Sequence, residues 1–359
     1  MHIQKRLTTL LLSVATLPLM AQQAIPLRQF KLDQNKIPPA NYSGICRVDS
    51  NVYAVVSDKE KDDGFYLMSI DIDTKTGKVR NAQRMGFYGS PANKKDRNGM
   101  STRDIEGITY RPSSKTFFLG GEGDQQVLEY DAMGYPTGLK LDMPPEMGIK
   151  EIRSNLGIES LTYNPNTQLF WTTTESTLKK DGLATDKNNP ENKNRLRIQC
   201  FHDNLKCGPQ YAYMMESPIC GTKGRKSKAL HHGVSELCAL DDGCIVVMER
   251  ETYVSKKNLN NYVNIRLFVI NPTNEQPINK DIPLSQLPQT AFMQKTEICA
   301  FKTKTNLTRR NIANYEGMCL GPKLDDGRQT LILINDTQNG MTKFGIRLKE
   351  YIKVIILPQ

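Results

Sequence analysis

The chain has 359 residues, enough for one large all-β domain or two ordinary ones. No stretch after the N-terminal leader approaches the roughly 18 apolar residues of a membrane span. The formal net charge of +10 can steer acidic ligands, but the lysines and arginines are scattered. The local clusters Lys94 to Arg97, Lys223 to Lys228 and Lys302 to Arg310 lack the aromatic interleaving of a nucleic-acid groove, so nucleic acid is excluded as a partner.

Met1 to Ala21 reads as a signal peptide, with Lys5 and Arg6 as the basic region, Leu10 to Met20 as the apolar region and Ala21 before the cleavage point. The first cysteine is Cys46, too distant for a lipoprotein anchor, so the chain is expected to be secreted or periplasmic. An exported chain with 8 cysteines permits disulfides. Cys200/Cys207 and Cys238/Cys244 flank polar turns and are the two candidate pairs. The absence of a CxxC motif argues against a cysteine zinc site.

Residues 22–40 read as an N-terminal strand, alternating through Ile25, Leu27, Phe30 and Leu32, and a Pro-rich linker; residues 41–359 read as one domain. In that domain a pattern recurs: an apolar strand opening near a carboxylate, a turn, and a second apolar strand ending on another carboxylate. The openings are at Ser43, Glu106, Glu159, Glu236 and Glu316, and the matching second-strand ends at Asp58, Glu122, Glu175, Glu249 and Asp336. Antiparallel pairing brings each opening beside its own second-strand end. Four units show four strands and the last shows three, so the N-terminal strand is free to complete it. This predicts an all-β fold: a β-propeller of five four-stranded blades, with six left open, closed by the N-terminal strand. The units exceed the roughly 40–50 residues of common propeller repeats, and the excess is assigned to polar loops at Lys179 to Asn194, Ser217 to His232 and Asn271 to Thr290.

A propeller gathers the paired acids around one rim. Like charges so close repel and raise one another's pKa values, which calls for cations or arginines. Hard cations such as Ca²⁺ take oxygen ligands. The second-strand acids Asp58, Glu122, Glu175, Glu249 and Asp336 are the expected metal ligands. Ser43, Glu106, Glu159, Glu236 and Glu316 are the expected rim or inter-blade staples. Arg103 and Arg250, beside motif acids, are the expected substrate contacts. No G-x-S-x-G elbow occurs, and His202, His231 and His232 form no convincing nucleophile–base set. Asp71 to Gly77 resembles part of a calcium loop but lacks its later Glu, and a strand–turn hairpin explains it better.

The ordered series Asn41-Tyr42-Ser43-Gly44-Ile45, Asp104-Ile105-Glu106-Gly107-Ile108, Gly157-Ile158-Glu159-Ser160-Leu161, Gly233-Val234-Ser235-Glu236-Leu237 and Asn314-Tyr315-Glu316-Gly317-Met318 resembles the phytase-like domain family. The resemblance runs from Asn41 to the C-terminus. It implies a secreted or periplasmic propeller with esterase-like activity of phytase type. In true β-propeller phytases, calcium in an acidic channel holds phosphate and polarises water. The expectation is therefore a monomeric, Ca²⁺-assisted phosphoesterase or esterase acting on a small anionic ester. The rival expectation is a non-catalytic propeller of the cell envelope that binds a ligand or a protein.

Overall fold

The computed structural model describes residues 23–257, 260–305, 311–337, 342–343 and 346–359. The leader at Met1 to Ala21, part of the basic cluster from Lys302 to Arg310 and part of the strand expected over Lys343 to Leu357 lie outside the described residues. In chain order the strands are β1 (Ile25–Pro26), β2 (Phe30–Lys31), β3 (Tyr42–Arg47), β4 (Val52–Ser57), β5 (Asp62–Ile72), β6 (Val79–Pro91), β7 (Ile105–Arg111), β8 (Thr116–Gly121), β9 (Gln126–Tyr130), β10 (Pro136–Lys140), β11 (Ile158–Asn164) and β12 (Leu169–Thr174). They continue as β13 (Arg195–His202), β14 (Cys207–Met214), β15 (Ser227–Ala239), β16 (Ile245–Ser255), β17 (Asn261–Ile270), β18 (Lys295–Thr305), β19 (Asn314–Leu320), β20 (Thr330–Asp336), β21 (Thr342–Lys343), β22 (Ile346–Arg347) and β23 (Tyr351–Ile356).

Short Val-, Ile-, Phe- and Tyr-rich runs of period two pair into antiparallel sheets, because each such run has one face to bury on either side. Four sheets are β3 to β6, β7 to β10, β11 to β14 and β15 to β18. The fifth is β19, β20, β23 and β1, with β2 also pairing β23. Each innermost strand touches the next, and β19 touches β3, so five blades close a ring. The expected closure holds: Ile25 lies opposite Ile356 and Phe30 opposite Ile352.

The core is divided among the five blade junctions. Phe65 and Phe117 stack between the first two blades, with ring centroids 4.2 Å apart. Phe118 and Phe170 do so between the second and third, at 4.6 Å. Trp171 and Val234 belong to the third junction, Met248 and Met318 to the fourth, Tyr42 and Ile334 to the fifth. The stretch from Ser217 to His232, expected as a loop, instead ends in a 3-10 turn and the first residues of β15. Its alternation through Ala229 and His231 is too polar to read as strand from sequence. The Asp71 to Gly77 segment is a hairpin turn between β5 and β6, with Gly77 at φ 71°, where a glycine costs least. All 8 cysteines are free, so neither candidate pair is bonded. Cys238 lies opposite Val246 in the core, away from the turn that carries Cys244.

Candidate functional site

Every innermost strand carries a β-bulge where it meets the second strand. The bulge places one extra residue at the rim: Ser43, Glu106, Glu159, Ser235 and Glu316 in successive blades. In the fourth blade Val234 pairs with Glu249 and Glu236 with Met248. The rim pair there is therefore Ser235 and Arg250, one residue from the expected Glu236 and Glu249. A shift of one residue in a strand sends a side chain to the other face. Glu249 accordingly turns away from the rim. It accepts hydrogen bonds from Tyr213 Oη at 2.7 Å and from Lys295 Nζ at 2.7 Å, between the third and fourth blades.

Arg250 occupies the rim place where the other blades carry an acid. Its guanidinium bonds Glu175 at 2.9 Å, lies 3.5 Å from Glu159 and pairs closely with Glu316. Asn314 Oδ1 takes another donor at 3.0 Å. One buried arginine thus neutralises acids from two other blades, and its donors are occupied rather than offered to substrate. Arg103 is elsewhere. It clasps the β8–β9 turn through Asp124, Tyr130 Oη and the carbonyls of Leu119 and Gln126, so these donors are engaged within the second blade.

The remaining acids divide in a way that reverses the expected roles in the second blade. Glu122 is the staple: its Oε1 accepts the Gly157 backbone N–H at 2.7 Å across the junction. Burial pushes its carboxyl up to about 7 despite that donor. Glu106, expected as the staple, faces the channel mouth and is only 8% exposed. Among the described residues no hydrogen-bond donor reaches its carboxylate. Asp58, Asp104 and Glu106 each present an oxygen within 4.8 Å of the others. Burial, with Asp58 and Glu316 close by, holds the Glu106 carboxyl well above the ordinary range. Lys59 bridges this group, 3.0 Å from Asp58 and in close contact with Asp104. Asp104 enters β7 with φ 53°, a left-handed conformation that Asp tolerates better than most residues. Ser43 is a staple, donating to the Ile105 carbonyl at 3.2 Å. Asp336 lines the same cavity as Glu106.

Glu236 has a different place. It stands level with Gly44, Gly107, Ser160 and Gly317 on the innermost strands, where the blades nearly touch. A Cβ on Gly44 would lie 2.4 Å from the Glu106 carbonyl oxygen. Here Glu236 Oε1 accepts the N–H groups of Leu161 at 3.1 Å and Leu237 at 3.0 Å, while Oε2 is buried with no partner among the described residues. These two amides occupy equivalent positions in two blades. Glu236 therefore plugs the axis just below the rim, and burial pushes its carboxyl well above the usual range.

The rim opens into a cavity of about 510 Å³. Asp58, Glu106, Glu159, Glu175, Glu316 and Asp336 line its floor. Asp104 and Lys59 were absent from the sequence-based site. The signal was adjacency: Asp104 opens the second motif and Lys59 follows Asp58. A hard-oxygen cluster with a buried carboxylate lacking a donor suits a divalent cation in its donor chemistry. Among the described residues no helix is long and apolar enough to cross a membrane.

The sequence matches the family described as "Phytase-like: Esterase-like activity of phytase" over residues 37–338, well over half of the chain. No curated protein matches it. Among solved structures it is similar to an endo-arabinase from Bacteroides thetaiotaomicron VPI-5482, at 10% identity over 92% of this chain and 98% of that one, TM-score 0.45. It is similar to an alpha-L-arabinofuranosidase from Podospora anserina in complex with cellotriose, at 7% identity over 94% and 98%, TM-score 0.44. The PQQ-bound aldose sugar dehydrogenase from Streptomyces coelicolor matches at 12% identity over 93% and 100%, TM-score 0.41.

Proposed function

The chain belongs to the phytase-like family, and from that premise and the rim geometry we propose that it is an exported, monomeric ester hydrolase dependent on a divalent cation, Ca²⁺ in the first instance. The observation that carries the reading is the approach of the Asp58, Asp104 and Glu106 carboxylates within 4.8 Å of one another. These three residues would hold the ion. Their oxygens are hard donors, and Asp58 Oδ1 is buried without a partner. The ion, when bound, supplies Lewis-acid polarisation of an ester oxygen and of water.

The chain's own residues prepare the floor for this. Glu122 and Ser43 tie the first three blades together and hold the strands that carry Glu106 and Asp58. Arg250 fixes Glu159, Glu175 and Glu316, so that the floor keeps its shape when its charge changes. Lys59 neutralises Asp58 and Asp104 and is the group that an entering ion replaces. The leader at Met1 to Ala21 supports export.

The test is hydrolysis of p-nitrophenyl esters and p-nitrophenyl phosphate by the mature protein with Ca²⁺ added and after chelation. Turnover that requires the ion and disappears in Asp58→Asn supports the reading. Turnover indifferent to chelation contradicts it. Stabilisation by Ca²⁺ without any turnover assigns the rim to ligand binding instead.

A further inference from the structure

The fourth blade is built differently from its neighbours. Its innermost strand has 13 residues, whereas those of the other blades have 6 or 7. The additional length, Ser227 to Gly233, pairs with Arg250 to Ser255 and stands above the rim. Ala229 and His231 on β15, Thr252 and Val254 on β16, and Asn261 and Val263 on β17 all line the cavity. Each pair is spaced by two residues, so one face of this raised sheet forms a wall of the cavity. The register confirms it: Ala229 lies opposite Val254, His231 opposite Thr252, and Thr252 opposite Val263. Leu156, Ile312 and Leu348 add apolar surface from flanking loops. A carboxylate floor thus meets, within one cavity, a wall in which Ala229, Val254 and Val263 alternate with His231, Thr252 and Asn261 and which Leu156, Ile312 and Leu348 extend with apolar surface.

We propose that the substrate is an ester bearing an apolar group, with at most a single negative charge, and that the apolar group lies on the fourth-blade wall while the ester meets the carboxylate cluster. The substrate class rests on the hydrolase reading above; the wall as a binding surface does not. Charge complementarity favours this class over a polyanion. Among the described residues lining the cavity, Arg250 is the only guanidinium or ammonium group, against six carboxylates, and Lys59 beside the cluster is already paired with Asp58 and Asp104. Its donors are held by Glu175, Glu316 and Asn314. An inositol polyphosphate would bring its charges to a floor of the same sign, and such juxtaposition opposes binding. Apolar surface placed against Leu156, Ile312 and Leu348, all partly exposed, leaves water, and each buried methylene contributes roughly 0.8 kcal/mol.

Two measurements test the proposal and separate it from the hydrolase reading. The first is calorimetric titration with the inert ester analogues N-hexylacetamide and N-methylacetamide, in competition with inositol hexakisphosphate. The hexyl compound should bind at least about tenfold more tightly than the methyl compound. Ile312→Ala and Leu156→Ala, both at partly exposed positions, should each weaken it several-fold. Inositol hexakisphosphate should not displace it. Equal affinity for the two amides, insensitivity to both wall variants, or tighter binding of the hexakisphosphate would overturn the proposal. The second is kcat/KM for p-nitrophenyl acetate, butyrate and hexanoate. A rise with chain length supports the substrate class, and a flat or falling profile overturns it. Preserved hexyl-amide binding with no hydrolysis of any ester overturns the hydrolase reading and leaves the apolar wall as a ligand site.

Discussion

Glu106 and Glu236 are both buried carboxyls on innermost strands, yet their surroundings assign them opposite roles. Glu236 accepts two amides at the axis, one from the third blade and one from its own, so part of its cost of burial is offset by backbone donors. Glu106, a step higher in its own blade, has acids for neighbours and no donor, and is exposed only toward the cavity. The first is a structural plug, and the second is the acceptor to which the proposed cation would bind. Glu236→Ala should remove the partner of two amides and cost on the order of 1–3 kcal/mol for each that stays dry. Glu236→Gln keeps one acceptor oxygen and should stay within about 1 kcal/mol of wild type. Urea midpoints of the two variants check this, and equal midpoints would rule out the plug.

The bulged pair of inner strands is the element that builds the rim. It turns one residue per blade toward the mouth and presses the next residue onto the neighbouring blade, which is why Gly44, Gly107 and Gly317 stand there. A Cβ on Gly107 would lie 2.9 Å from Leu161 Cβ, and one on Gly317 would lie 2.7 Å from the Ser43 carbonyl oxygen. Gly44→Ala should therefore move β7, cost roughly 1–3 kcal/mol, and weaken the Ca²⁺ response by displacing Glu106. A differential melting curve with and without Ca²⁺ reads both effects. An unchanged Ca²⁺ shift would show that the rim does not depend on this contact. Period-two patterning and recurrent acids made the blades, their number and the closing strand legible in the sequence. They did not settle the fourth blade. There Ser235 and Glu236 are adjacent, as are Glu249 and Arg250, and a bulge adds a residue that alternation alone does not locate. The reversal of Glu106 and Glu122 was hidden for a related reason. Which acid meets the next blade's amide depends on how Gly157 approaches, a contact 35 positions away along the chain.

At the scale of the whole molecule, stability is the stability of a ring, and two of its junctions are held by carboxyls with raised pKa values. Glu122 joins the second blade to the third, and burial pushes it up to about 7. Glu350 joins the last blade to the first by accepting the Ala40 N–H at 3.0 Å and the Thr337 hydroxyl, and burial pushes it up to about 8. In the unfolded chain both titrate near 4.3. The folded state thus holds more protons than the unfolded state between those values, so stability falls as pH rises from about 4.3 to 8. Without divalent ions, the melting temperature should be higher near pH 5 than near pH 8. A rising profile over that range would contradict the assignment. Ca²⁺ should flatten the profile, because an ion on the cluster favours the deprotonated acids that high pH produces.

The claim on which the functional account stands is that Glu106, with Asp58 and Asp104, holds a divalent cation at the rim. Its most direct test is the Ca²⁺-induced shift in melting temperature of wild type and Glu106→Gln, measured side by side at neutral pH. The account predicts a positive shift in wild type, about 2.7 kcal/mol in stability at a hundredfold excess over Kd. For Glu106→Gln it predicts equal or greater stability without the ion, since a buried acid crowded by other acids is replaced by a neutral amide, and loss of most of the shift. A wild-type protein indifferent to Ca²⁺, or a variant that keeps the full shift, would contradict it.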